Sequence, residues 1–271
     1  MSIKLPTVFM GKPIKGSIEQ ALAAAEASQN QPDQNAGRVP APLGNMTPTT
    51  AVNDPQNYIV LPSATHGSYS YADTLVTMER THHNKNWHDA HKALADEGAY
   101  MLSIRQFVDF LNLLKSGSAS DGTGSLIQKP RLDEILDEIS TVRSPWRSEW
   151  LDARFETRGG VTGIGSKMHI LYENRFVNGQ LVSQQTKELT NYLTSNKTPG
   201  IVLSEWLDNA NEYGLPSANI STAQNGLYYW APTNDRVARF VADSDGAYLY
   251  CYSYPADVSG SLWVRAARAK N

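Results

Sequence analysis

From Arg236 to Arg265 the chain reads RVARFVADSDGAYLYCYSYPADVSGSLWVR. Inside this stretch Tyr248, Tyr250, Tyr252 and Tyr254 fall on every second residue. Alternate side chains of a β-strand point to opposite faces. The spacing therefore sets four tyrosines on one face and Leu249 and Cys251 on the other. Leu and Cys are among the residues most often buried, so theirs is the expected core face. The tyrosine face is then exposed or half covered. Tyrosine gives large contact area at low entropic cost, and the Ser, Asp, Ala and Gly around it give adaptable polar contacts, which is the composition of a binding surface. The competing reading is a strand buried on both faces, with each tyrosine hydroxyl satisfied inside.

Two blocks frame the stretch. Asn225-Gly226-Leu227-Tyr228-Tyr229-Trp230 and Arg236-Val237-Ala238-Arg239-Phe240 lie upstream, and Ser261-Leu262-Trp263-Val264-Arg265 lies downstream. From about Gly226 to Arg268 the pattern resembles the C-terminal region of variable proteins of diversity-generating retroelements. The chain departs from that pattern at Trp263, where glycine is usual. The resemblance implies a C-type lectin fold of the formylglycine-generating-enzyme type, and a prokaryotic or viral setting. It also implies a gene whose 3′ codons are overwritten from a template with random replacement at adenines.

Randomised AAC codons yield Asn, Tyr, Asp, Ser, Ala, Gly and Thr among others, but never Lys, Glu, Gln, Met or Trp. None of those five occurs between Phe240 and Leu262, whereas Gln224, Trp230 and Trp263 flank the run. The variable face implied is Asp243, Ser244, Ala247, Tyr248, Tyr250, Tyr252, Ser253, Tyr254, Ala256, Asp257, Ser259 and Gly260. Arg239, Phe240, Leu249, Cys251, Leu262 and Val264 are then scaffold. The expected partner is a protein or a cell-surface ligand, with no cofactor.

Composition narrows the alternatives. Hydrophobic residues make up 41% of the 271 and charged residues 19%, enough for a substantial core. A net charge of -3 gives no basic excess of the kind that binds nucleic acid. The single cysteine, Cys251, excludes an internal disulfide. No apolar run has the length of a membrane span, and no continuous apolar block follows Lys4, Lys12 and Lys15 as a signal peptide requires. Compartment and oligomeric state are left open.

The expected organisation is an N-terminal extension over 1–56 and a lectin-like domain over 57–271, helical to 145 and strand-rich from 146. Within the extension, Ser17 to Ser28 reads as a capped helix and 29–56 as an extended arm. Strand is expected at 58–62. Helices are expected at 72–80, 87–97, 103–115, 131–142 and 204–213, with a flexible Gly/Ser loop at 116–125. Met168 to Tyr172 and Arg175 to Val177 read as short strands interrupted at Glu173-Asn174. Asn178-Gly179 signals a hairpin. Helices first and strands later give an α+β fold, here a C-type lectin fold with peripheral helices and an N-terminal extended arm.

Other chemistry competes weakly. His82, His83, His88 and His91 cluster near His66, Asp89 and Asp96, and such a group could hold a transition metal. No H-E-x-x-H spacing supports this, and capping, stacking on Trp87 or solvation explains the histidines equally well. Gly159, Gly160, Gly163 and Gly165 read as turns because no Walker lysine follows. There is no G-x-S-x-G elbow. The enzymes of the resembled fold depend on active-site cysteines, and Cys251 sits on the expected core face. The chain is therefore expected not to be an enzyme, with no metal site. The alternatives are a metal-dependent or oxidative enzyme of that fold and a structural virion component.

Overall fold

The computed structural model describes Val8–Phe9, Lys12–Pro13 and residues 53–270, except 142, 161–164 and 225. The chain divides into two compact units, Met1–Pro48 and Thr49–Asn271. In the first, β1 (Val8–Phe9) pairs antiparallel with β2 (Lys12–Pro13). The expected helix at 17–28 and most of the expected arm lie outside the described residues.

The second unit begins with β3 (Tyr58–Leu61), β4 (Ala64–His66), β5 (Tyr69–Tyr71) and β6 (Thr74–Thr77). Then come α1 (Trp87–Asp96), β7 (Tyr100–Met101), α2 (Ile104–Ser116) and α3 (Lys129–Ser140). Long strands follow: β8 (Arg147–Arg158), β9 (Lys167–Val177) and β10 (Gln180–Glu188). The last elements are β11 (Lys197–Ile201), α4 (Leu203–Asn209), β12 (Leu227–Trp230), β13 (Arg236–Ala242), β14 (Ala247–Ser253), β15 (Leu262–Trp263) and β16 (Ala266–Ala269). The architecture is mixed α+β.

The larger sheet runs β10-β9-β8-β13-β14-β12-β11, with β15 beside β8. A smaller sheet runs β3-β6-β16-β7. It ties the beginning of this unit to its end, because β3 and β16 both flank β6.

Local signals explain most elements. The Ser103 side chain accepts from Gln106 N while the Gln106 side chain accepts from Ser103 N, and this capping box starts α2. Gly117, at φ 68, ends it. Asn86 caps α1 by accepting from Asp89 N at 2.8 Å. Asn178 and Gly179 both take positive φ, and the two-residue loop sets Val177 opposite Gln180.

Four expectations are corrected. The helix expected at 72–80 is strand β6. Thr74-Leu75-Val76-Thr77 is rich in β-branched residues and hydrogen-bonds to β3 on one side and β16 on the other, which overrides helical composition. Glu173-Asn174 does not interrupt β9. Glu173 takes φ 55, and Asn174 N donates to Asp152 Oδ2 at 3.1 Å, so the strand continues. The helix expected to reach Tyr213 stops at Asn209, because Asn211 Oδ1 takes the N–H groups of Tyr213 and Leu215 at 3.0 and 2.9 Å. The 116–125 loop is pinned rather than free. Asp121 Oδ1 accepts from Thr123 N and Ser125 N, and Gly122 N donates to Pro55 O at 3.0 Å.

The main core lies between α2, α3 and α4 and one face of the larger sheet. Phe240 meets Phe107 at 5.2 Å and stacks on Trp206 at 6.3 Å. Leu249 and Cys251 are fully buried in this core. A second cluster covers part of the sheet, with Trp87, Leu94, Met101, Trp150, Val237, Leu262 and Val264. A buried ion pair joins strands that are far apart in sequence. Arg265 Nη2 donates to Glu149 Oε1 at 2.8 Å and Nε to Oε2 at 3.2 Å. Arg265 Nη1 also donates to the carbonyls of Thr77 and Met78.

Because Leu249 has no exposed surface, Leu249→Ala leaves a cavity under β14. It should cost about 2–5 kcal/mol, read as a shift of the urea midpoint at unchanged m-value. A cost below about 1 kcal/mol would mean that the core does not rest on this strand.

Candidate ligand-binding face

The twelve positions expected to vary fall in three local structures. Asp243, Ser244 and Ala247 belong to the turn from β13 to β14 and its exit. Asp243 Oδ1 accepts from Asp245 N at 2.8 Å and Gly246 N at 3.2 Å, which shapes the turn. Ser244 is exposed. Ala247 is half-buried and leans on the main core.

Tyr248, Tyr250, Tyr252, Ser253 and Tyr254 lie on β14 or just past it. Tyr252 and Tyr254 are 37% and 53% exposed, and Tyr248 and Tyr250 are half-buried. Ser253 is a correction. It pairs with the fully buried Val237 and is itself only 1% exposed. Ser253 has the parity of Leu249 and Cys251, so strand alternation itself sets it inward, and a register shift between Val237↔Ser253 and Arg239↔Tyr250 places it opposite Val237.

Ala256, Asp257, Ser259 and Gly260 form the loop beyond. Asp257 N donates to Tyr254 O at 3.1 Å, closing a turn with Pro255 at its second position. Pro255 O accepts from Trp87 N at 3.0 Å, which fastens the loop to α1. Ala256 and Gly260 are exposed, and a Cβ on Gly260 would meet nothing within 4 Å. Ser259 Oγ accepts from Ser261 N at 3.2 Å.

The structure adds residues to this face that the sequence reading missed. β12 runs parallel to β14, setting Tyr228 beside Tyr248 and Trp230 beside Tyr250. Tyr228 meets Tyr248 edge-on at 4.9 Å, and Trp230 meets Tyr250 at 5.5 Å. Tyr250 meets Tyr252 edge-on at 6.2 Å. Arg236 lies 3.7 Å over the Tyr254 ring and 5.4 Å over Tyr252. Arg239, expected to be scaffold, is half-buried among rings. Its guanidinium is 5.1 Å from Tyr250, 5.6 Å from Trp146 and 5.7 Å from Trp150.

Electrostatics follow from this burial. Desolvation lowers the Arg239 pKa, opposed by the nearby Asp257 carboxylate. It raises that of Tyr250, opposed by Arg239. Tyr248 is pushed well up by desolvation and by its hydrogen bond to Asp243. Beneath them burial pushes the Cys251 thiol well up, so it stays protonated and unreactive.

The histidines do not converge. His82 Nε2 stands 3.3 Å from Glu97 Oε1. His83 packs on Trp263 at 4.8 Å, and His88 lies edge-on to Trp87 at 5.3 Å. His91 meets Trp87 at 4.3 Å. His66 Nε2 is 2.9 Å from Asp109 Oδ2, on another part of the unit. Among the described residues, no three His, Cys, Asp or Glu side chains are grouped so as to hold a metal ion.

His91 is instead part of a buried polar group. Its Nε2 is 3.4 Å from Asp152 Oδ1, and both residues are almost wholly enclosed. Burial, helped by Arg175 and His88, lowers the His91 pKa from 6.5 to about 3. Burial raises Asp152 from 3.8 to about 6, against the hydrogen bonds from Asn174 and the charge of Arg175. The two act oppositely on stability. As pH falls from 6.5 towards 3, the unfolded chain takes a proton that folded His91 refuses, which weakens the fold. Between 6 and 3.8 the folded chain holds a proton on Asp152 that the unfolded chain releases, which strengthens it. His91→Gln removes only the first effect. Its stability relative to wild type should therefore rise as pH falls from 6.5 to 3.8, in urea midpoints taken across that window. A constant difference would show that His91 titrates alike in both states.

No protein-family model, curated protein or solved structure matches this chain.

Proposed function

We propose that this chain is a non-enzymatic ligand-binding protein of C-type lectin fold. Its C-terminal face is diversified by a retroelement and recognises a protein or cell-surface ligand. The observation that carries the reading is the two-sidedness of β14. Leu249 and Cys251 have no exposed surface, while Tyr252, Tyr254 and the 256–260 loop project outward next to them. Such a strand can change its outer side chains without disturbing the core. The absence of Lys, Glu, Gln, Met and Trp between Phe240 and Leu262 supports the adenine-directed origin of those side chains. The mixed α+β architecture accommodates the lectin-fold reading at the coarse level.

The burial differences make this reading testable without knowing the ligand. Tyr252→Ser and Tyr254→Ser should each change stability by about 0.5 kcal/mol or less, measured by urea denaturation. Unfolding of either variant would place these rings in the core and remove the physical support for a variable face.

Sequencing the gene across many independent isolates tests diversification directly. Replacements should concentrate at codons for Ser244, Tyr250, Tyr252, Tyr254, Ala256 and Gly260, and spare Leu249, Cys251 and the buried Ser253. A near-copy of these codons should lie beside a reverse-transcriptase gene. Replacements spread evenly over buried and exposed positions, with no such copy, would sink the retroelement reading.

A further inference from the structure

Among the described residues, ten buried side-chain nitrogen or oxygen atoms have no hydrogen-bond partner. Four of them sit on three adjacent strands: Trp230 Nε1 on β12, Arg236 Nε and Arg239 Nε on β13, and Ser253 Oγ on β14. A buried donor left unpaired costs free energy, so these strands carry polar groups that the fold itself does not satisfy. Three of the four are N–H donors, and all three belong to side chains packed against the tyrosine row.

Arg239 is the centre of this arrangement. Its neighbours are the rings of Tyr250, Trp146 and Trp150, and it makes no ion pair or hydrogen bond with any carboxylate among the described residues. Asp257 is near enough to act through its charge, but it is not bonded to the guanidinium. Asp243 is occupied by the turn amides and the Tyr248 hydroxyl. Among the described residues, the hydrogen bond Arg236 makes goes to the backbone carbonyl of Asp235. Two cations therefore lie on an aromatic surface without a bonded carboxylate among the described residues, Asp257 acting on Arg239 only through its charge. A guanidinium packed among rings keeps its N–H fork for a planar acceptor, and carboxylate fits that fork in two-point fashion.

We propose that this face recognises an acidic protein segment, with an Asp or Glu carboxylate seated on the Arg239 guanidinium. Apolar neighbours of that residue pack on Tyr250, Tyr252 and Tyr254. The proposal rests on the reading of this face as the ligand-binding one. It adds a fixed chemical anchor: Arg239 and Arg236 supply the charge, and the tyrosine row and loop supply selectivity. Such a division lets outer residues change while the ligand retains one required feature.

The test uses the full chain as target for a random peptide library displayed on phage, with binding measured afterwards on synthetic peptides. Selected peptides should share an Asp or Glu beside an aromatic or apolar residue. Replacing that acid by its amide should weaken binding about tenfold or more. Arg239→Gln should do the same at unchanged melting temperature, and Arg239→Lys should recover only part of the affinity. Because the peptide-side exchange leaves the protein untouched, the result stands even where Arg239→Gln unfolds. Peptides without a required acid, lost on Tyr252→Ser and Tyr254→Ser but indifferent to the Arg239 variants, would overturn the carboxylate anchor while leaving the binding face intact. Peptides indifferent to both sets would overturn the binding face as well. Arg239-dependent binding of sialylated glycans on an array, with no peptide selected, would keep the anion chemistry and overturn the protein partner.

Discussion

β14 is hydrogen-bonded on both sides, antiparallel to β13 and parallel to β12, and one of its faces is sealed by the main core. Everything proposed for this protein depends on that double constraint. A strand held by two neighbours cannot slip without breaking two ladders of hydrogen bonds. A strand with Leu249 and Cys251 in the core cannot turn over without exposing them. What remains free is the outer face. Its side chains are presented on a rigid support and are not needed to hold that support together.

The second cluster decides how much of that face is open. α1 and the segments carrying Leu262 and Val264 bury Trp150 and Val237 on the sheet, so the β8–β13 part is covered. Coverage is partial at Tyr248 and Tyr250 and lapses at Tyr252 and Tyr254. The tyrosine row therefore grades from half-buried to exposed. The bulge between Val237 and Arg239 falls at the same place and sets the buried Ser253 opposite Val237. Half-burial also explains why Arg239 lies against rings: a desolvated guanidinium gains from aromatic faces what it loses from water.

The Arg265–Glu149 pair serves a different purpose. Its charges are buried and mutually satisfied, and the guanidinium also takes the carbonyls of Thr77 and Met78. It fixes β8 and the segment leading into β16 against the end of β6, and so joins the larger sheet to the smaller one. Removal of water from such a pair costs much of what the attraction returns, so its value lies in register more than in net stability.

The sequence alone determined the local elements and the parity of β14. The Ser103 capping box, the Asn178-Gly179 hairpin and the alternation of Tyr with Leu and Cys are each written within a few residues, because hydrogen-bonding caps, turn dihedrals and strand alternation are short-range physics. The sequence misjudged 72–80, where pairing on both sides made a strand of a segment with helical composition. The expectation of a variable Ser253 runs against the alternation itself, since Ser253 has the inward parity of Leu249 and Cys251, while the place of Arg239 among Trp146, Trp150 and Tyr250 depends on packing between distant segments. Trp230 carried the same alternation as the tyrosines, but its partner strand lies about twenty residues on and runs parallel to it. Tertiary structure alone decided which donors meet on the face, because that depends on which strands become neighbours, and strand order is a property of the whole sheet.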